Sequence, residues 1–206
     1  LVLNYTNPMS MLCLAAARTS PMEVVGLCHS VQATSRLLAS RADIPYVQLD
    51  WECAGINHLA WFTTLEHDGQ DLYPLLKTKA QQDFEGNPSD INDASDLVRK
   101  DMMLNFGAFI TESSGHLSEY LPYYRVHAPT LDRYCDDGYD GGSRWYADNW
   151  PIWRAEANEA RQHMVDGPDS MNWSRSFEYA SWIIESIRKD SAYSIHGNVP
   201  NKSLPD

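Results

Sequence analysis

Over the first 44 residues, apolar runs of strand length alternate twice with segments of helical pattern, and nothing else in the chain restricts its fold as much. Leu1 to Tyr5 reads as a buried strand, broken by Asn7-Pro8. "MSMLCLAAARTS", rich in Met, Leu and Ala, predicts a buried helix ending near Ser20-Pro21. "EVVGLC" supplies a second short strand. "SVQATSRLLASRAD" predicts a helix with Val31, Leu37 and Leu38 on one face and Ser30 as its N-cap. The β-branched and aromatic stretch that follows predicts strands near 46–56 and 59–66, with Asp68-Gly69 as a hairpin turn. "DLVRKDMMLNFGAF" reads as a helix, residues 85–95 as a loop, and "PTLDRYCDDGYDGGSRWYADNWP" as irregular. Helices at roughly 151–166 and 174–189 precede a tail of loop composition with no element to anchor it. The fold class expected is α+β (mixed α/β).

Composition narrows the function by exclusion. Sixteen Lys and Arg against 28 Asp and Glu give a net charge of −12. That balance argues against nucleic acid or an anionic membrane as partner, since both reward clustered cations. No apolar window has the length of a transmembrane helix, and the first residues lack the basic region of a signal peptide. Cys13, Cys28, Cys53 and Cys135 form no C-x-x-C pair, which removes zinc-ribbon and thioredoxin readings. Reduced thiols and a cytoplasmic location are expected. No G-x-G-x-x-G or P-loop pattern occurs. The chain opens without methionine inside an apolar run and ends in loop composition, so a piece of a longer protein is expected.

Two places concentrate chemistry. Cys28 and His58 each end a strand-like run, and thiolate and imidazole are both good ligands for divalent first-row metals. Two ligands suffice only where substrate oxygens complete the shell; the plainer reading is a buried free Cys and a core His. "TESSGHLSEYLPYY" gathers Glu112, His116, Glu119, Tyr120, Tyr123 and Tyr124. A tyrosine there can act as a base beside a cation that lowers its pKa, or the segment is a capped helix start with aromatic packing. Asn4, Asn7 and Asn57 lie at strand ends or breaks and suit either hydroxyl-rich ligands or turns.

In order, "NYTNPM", "VGLCHS", "AGINHLAWF", "DGQDLYPLL", "TESSGHLSEYLPYY" and "RSFEYASWIIESI…GNVPN" resemble glycoside hydrolase family 4, in its α-galactosidase (melibiase) branch. The resemblance implies a lactate-dehydrogenase-like C-terminal domain over residues 21–206, with residues 1–20 as the late end of a Rossmann-type NAD-binding domain. It also implies NAD and a divalent metal, usually manganese, as cofactors, and a homodimer or homotetramer. The implied reaction is hydrolysis of an α-glycoside by redox elimination, outside the two-carboxylate scheme of most glycosidases. NAD takes hydride from the sugar C3, and the metal polarises the resulting ketone. A base then removes the C2 proton, the glycosidic oxygen leaves, water adds to the resulting enone, and NADH returns the hydride.

By motif, Cys28 and His58 match the metal ligands, and Asn7 a substrate contact beside the nicotinamide. Tyr120 matches the C2 base, with Tyr123 the alternative. Asn57 and His116 are expected to bind substrate, and His29 to serve as acid for the leaving group or else to hold the metal or a sugar hydroxyl. His29 also argues against a 6-phospho-sugar. Gly115 stands where many relatives have Glu, and the family's glycine-rich NAD motif is absent from these residues. Competing readings are a sugar-binding or assembly fragment, a related α-glucosidase or α-uronidase, and a dehydrogenase of the lactate/malate type.

Overall fold

The computed structural model describes residues 1–85, 96–135, 145–167 and 178–200, which divide between two compact units. The first comprises Leu1–Glu85, Met102–Glu112 and Phe177–Asp206; the second comprises Gly86–Asp101 and Ser113–Ser176. The expected mixed α/β class is what forms. Among the described residues no helix is long and apolar enough to cross a membrane.

The first unit opens with strand β1 (Val2–Asn4), helix α1 (Met9–Thr19) and strand β2 (Val24–Gly26). β1 and β2 pair in parallel, with Val2 opposite Val24 and Asn4 opposite Gly26. A parallel pair needs a crossover, and α1 provides it. Met9 and Cys13, one turn apart, face inward and pack with Val24, Val2 and Ala16. A Cβ on Gly26 would stand 2.6 Å from Met9 Sδ, so glycine lets α1 lie close on the strand. The two segments expected to be buried are covered only in part. β1 is half-buried, and Met11, Leu12 and Leu14 of α1 are exposed, because only the Met9/Cys13 stripe meets β2.

Helix α2 (Ser30–Ala42) buries Thr34, Ser35, Leu38, Ala39 and Ala42. It closes at Asp43 in the left-handed region (φ 58°), whose N–H returns to the Ala39 and Ser40 carbonyls. Its cap position is His29, without a side-chain cap, and not Ser30 as expected. The Ser30 hydroxyl turns instead to the Cys28 thiol at 3.4 Å.

Strands β3 (Asp50–Ile56), β4 (Leu59–His67), β5 (Gln70–Asp71) and β6 (Phe109–Ile110) make an antiparallel sheet around β4. Phe62 and Leu65 of β4 share a buried core with Leu38 of α2, Leu76 of helix α3 (Tyr73–Glu85), Met103 and Phe109. The buried Tyr73 hydroxyl donates to the Phe62 carbonyl and accepts from the Phe109 N–H at 3.0 Å. Residues 46–48 form a 3-10 turn after Pro45, so β3 begins at Asp50 and not at 46. Asp68-Gly69 does turn the chain (φ 51° and 73°), but from β4 into β5. Asn57-His58 closes the main hairpin.

Helix α4 (Leu97–Phe106) runs from the second unit's residues into the first's. In the second unit Asp96 is bonded by Arg99 Nε at 2.6 Å and by the Ser114 hydroxyl at 2.7 Å. Helix α5 (Ser114–Tyr120) is capped by Ser113, which accepts from the His116 N–H, so the capped helix start, one of the two readings of this segment, is what forms. Helices α6 (Ala128–Tyr134) and α7 (Trp145–Asp166) occupy much of the stretch expected to be irregular. Helix α8 (Ala180–Lys189) returns to the first unit. The tail is anchored after all, since Gly26 and Asn198 exchange two backbone bonds of 2.8 Å. The predicted loop at 85–95 and the predicted helix start at 174 lie, but for Glu85, outside the described residues.

Candidate active site

Cys28 stands just beyond the C-terminal end of β2, where open α/β sheets collect their ligands. His58 sits at the tip of the β3–β4 hairpin with φ 64°, a left-handed conformation uncommon for a non-glycine residue. The strand leading to it is irregular in a defined way. The register slips between Glu52 and Cys53, and Gly55 adopts φ 136°. A Cβ at Gly55 would stand 2.7 Å from Ala60 Cα and 2.9 Å from the Leu59 carbonyl oxygen. Only glycine lets the two strands close this tightly behind the tip.

The tip brings His58 onto Cys28, and the two side chains are hydrogen-bonded. Burial pushes the Cys28 thiol up, but the bonds from His58 and Ser30 outweigh it and hold the thiol below its ordinary value of 9.0. The Cys28 bond raises His58 above its ordinary 6.5; burial opposes this, and nearby Glu112 adds to it. Glu112 follows β6, and its Oε2 lies 3.2 Å from His58 Nε2 with both side chains largely covered. A carboxylate at that distance orients the ring and sets its tautomer.

A cavity of about 210 Å³ opens beside the pair, lined among others by Cys53, Asn57, Thr111 and His196. Asn57 Nδ2 donates to Asn7 Oδ1 at 3.2 Å, so two residues expected to bind substrate meet. Asn7 Oδ1 also accepts from the Met9 N–H at 3.3 Å. Asn57 Oδ1 is buried without a hydrogen-bond partner, which a hydroxyl donor in the cavity would supply.

His29 turns another way. Its ring stacks on Tyr5 (5.5 Å between centroids, 14° between planes), and its Nε2 is 3.4 Å from Glu178, within ion-pair reach though without hydrogen-bond geometry. It is absent from the lining of the cavity. His116 and Tyr120 belong to the second unit, on α5, with their rings edge to face at 5.9 Å and Tyr120 exposed. Tyr123, the alternative to Tyr120, is also exposed, whereas Tyr124 is buried and bonds Asp101 at 2.7 Å.

The donor set fits a divalent first-row cation. One thiol held toward thiolate and one imidazole backed by a carboxylate are suitable ligands beside an open cavity. Among the described residues no group of three or more His, Cys, Asp or Glu is arranged to hold an ion, so such a cation would draw further ligands from the cavity's occupant. Spacing did not single out Glu112 as the partner of His58, nor His196 or Tyr179. Glu112 stood in a quoted cluster, and the other two stood in or beside quoted motifs.

A ligand pair past a strand of a βαβ unit, meeting a hairpin tip over a polar cavity, is the arrangement of a small-molecule enzyme. The chain belongs to glycosyl hydrolase family 4: residues 53–205 match the family's C-terminal domain and residues 1–44 match the family 4 glycosyl hydrolase. It is 34% identical to an alpha-galactosidase of Bacillus subtilis (strain 168) over 206 residues, 98% of this chain and 44% of that protein. Its fold is similar to the crystal structure of a putative glucosidase from Bacillus subtilis, with a TM-score of 0.77 and 23% identity over 99% of this chain and 50% of that one. A 6-phospho-alpha-glucosidase from gut microorganisms, crystallised in complex with NAD and Mn²⁺, has a TM-score of 0.56 and 21% identity over 90% of this chain and 42% of that one. The chain spans less than half the length of the curated alpha-galactosidase it matches.

Proposed function

We propose that this chain carries the metal- and sugar-binding part of an α-glycosidase that depends on NAD and a divalent cation, and that α-galactosides are its substrate class. The observation that carries the proposal is the contact of Cys28 with His58 beside a cavity that holds the unpartnered Asn57 oxygen. Similarity to an alpha-galactosidase supports the substrate class, and the related fold crystallised with NAD and Mn²⁺ supports the cofactors.

When bound, NAD supplies reversible hydride acceptance and the cation supplies Lewis acidity toward a sugar carbonyl oxygen. Cys28 and His58 hold the cation, and Glu112 keeps the His58 ring in one orientation. Asn57 accepts a sugar hydroxyl through Oδ1 while Asn7 fixes its amide, which orients the sugar ring. Tyr120 is the proposed base for the sugar C2 proton. His29, beside Glu178, is the proposed donor to the leaving oxygen, and His116 a sugar contact.

Solvent isotope incorporation tests the reaction class. If the intact protein removes a C2 proton, galactose released in D₂O carries deuterium at C2. Galactose released at full rate without deuterium at C2 would rule out the elimination route.

A further inference from the structure

Tyr179, at the start of α8, has no part in the reaction as proposed, yet its ring and hydroxyl contact several groups behind the site. It is 3% exposed, and its ring stands edge-on to Tyr5 and His29 at 6.1 and 6.3 Å. Its hydroxyl oxygen accepts from the Cys28 N–H at 3.0 Å. Its single proton faces two carbonyl oxygens, those of Cys28 and His196, each 3.0 Å away. The β1–β2 pairing has ended by this point: the last bond it makes is from the Leu27 N–H to the Asn4 carbonyl, at 2.8 Å. The backbone of Cys28 therefore leaves the sheet, and the two peptide groups that flank its Cα, one through the Cys28 N–H and the next through the Cys28 carbonyl, are met by one phenol from 151 residues away.

We propose that Tyr179 is a positioning residue for Cys28: by fixing the backbone N–H and the carbonyl on either side of the Cys28 Cα, its hydroxyl sets the direction in which the sulfur meets His58 and a bound cation. This inference rests on the metal reading above. With only one flanking peptide group held, the backbone can rotate about the Cys28 Cα and the sulfur moves with it. With both held, the Cα–Cβ bond keeps one direction. The same hydroxyl ties the His196 carbonyl to the Cys28 peptide, so the cavity wall formed by His196 and Asn198 is set by the atom that sets the ligand. Outer contacts of this kind are worth roughly 10- to 100-fold in metal affinity.

The test uses the intact protein and Co²⁺, whose bond to a thiolate gives a near-ultraviolet charge-transfer band. Tyr179→Phe keeps the ring and its edge contacts and removes only the hydroxyl. It is expected to weaken Co²⁺ binding roughly 10- to 100-fold and to lower the band. Tyr73→Phe is the matched control, since its hydroxyl also bridges two backbone groups of the first unit, at Phe62 and Phe109. It is expected to lose stability but to keep the wild-type Co²⁺ affinity. Equal Co²⁺ affinity in Tyr179→Phe and wild type overturns the positioning role. A wild-type protein that shows no thiolate band overturns the metal reading itself, and this inference with it. If Tyr179→Phe does not fold, hydrogen exchange at the Cys28 amide of the unsubstituted protein decides. Slow exchange is expected from its bond to the Tyr179 oxygen, and exchange at the rate of an open amide overturns the clamp.

Discussion

At the scale of single residues, the chain separates four thiols by environment. Burial pushes Cys53 up to about 11 and Cys13 and Cys135 are covered, whereas Cys28 is held below 9.0 by His58 and Ser30 against its burial. The thiolate is the nucleophile, so limited iodoacetamide treatment of the cation-free protein at pH 8 is expected to label Cys28 ahead of Cys53, as read by peptide mass mapping. His58→Ala removes a bond that lowers Cys28 and leaves the burial that raises it, so the pH midpoint of alkylation is expected to move upward. An unchanged midpoint would mean that His58 does not act on the thiol. The stability that the two partners contribute depends on pH in opposite directions. The depressed Cys28 contributes fully above its unfolded value and loses that contribution as pH falls through its folded one. The raised His58 contributes fully below its unfolded value and loses that contribution as pH rises through its folded one.

At the scale of elements, the hairpin that carries His58 depends on one glycine. Gly55→Ala would combine a φ of 136° with a Cβ 2.7 Å from Ala60 Cα, and is expected to cost about 1–3 kcal/mol or more in chemical denaturation. Phe62→Ala, at a position with no exposure, is expected to cost about 3–5 kcal/mol by the same measurement. The βαβ opening was legible because apolar runs and helical patterns alternate over a short span. Asp68-Gly69 is a hairpin turn as predicted, between β4 and β5, whereas the turn between β3 and β4 at Asn57-His58 carries no such local signal. What closes β3 on β4 is instead the approach of Gly55 to Ala60, a contact across strands that no local pattern records. Helix α3 was not predicted, and α6 lies in a stretch that its glycines and aspartates made look irregular; Pro74 and Pro129 stand near the start of the two helices. Each falls in the first turn of its helix, where a missing N–H costs nothing. Of the site, Cys28 and His58 were legible as ligand types at strand ends, and Asn7 and Asn57 as amides beside them. Tyr179 was not, because its contact with Cys28 spans the chain and is made with backbone atoms, for which sequence carries no code.

At the scale of the whole molecule, the first unit holds Cys28, His58, Asn7, Asn57 and His29, and the second holds His116 and Tyr120. If Tyr120 is the base, Tyr120→Phe in the intact protein is expected to lower kcat by about 10²- to 10⁴-fold with little change in KM. A wild-type kcat in that variant would remove Tyr120 from the reaction. The net charge of −12 fits a small neutral sugar as ligand better than a polyanion. If Cys28 and His58 hold a divalent cation that the reaction needs, the sugar bond is not cleaved without it. The direct measurement is release of p-nitrophenol from p-nitrophenyl α-galactoside by the intact protein, supplied with NAD, after chelation and then after addition of Mn²⁺. Chelation is expected to abolish release, and Mn²⁺ to restore it in the wild type but not in Cys28→Ser. Release that persists at the wild-type rate through chelation would show that cleavage needs no cation at this pair.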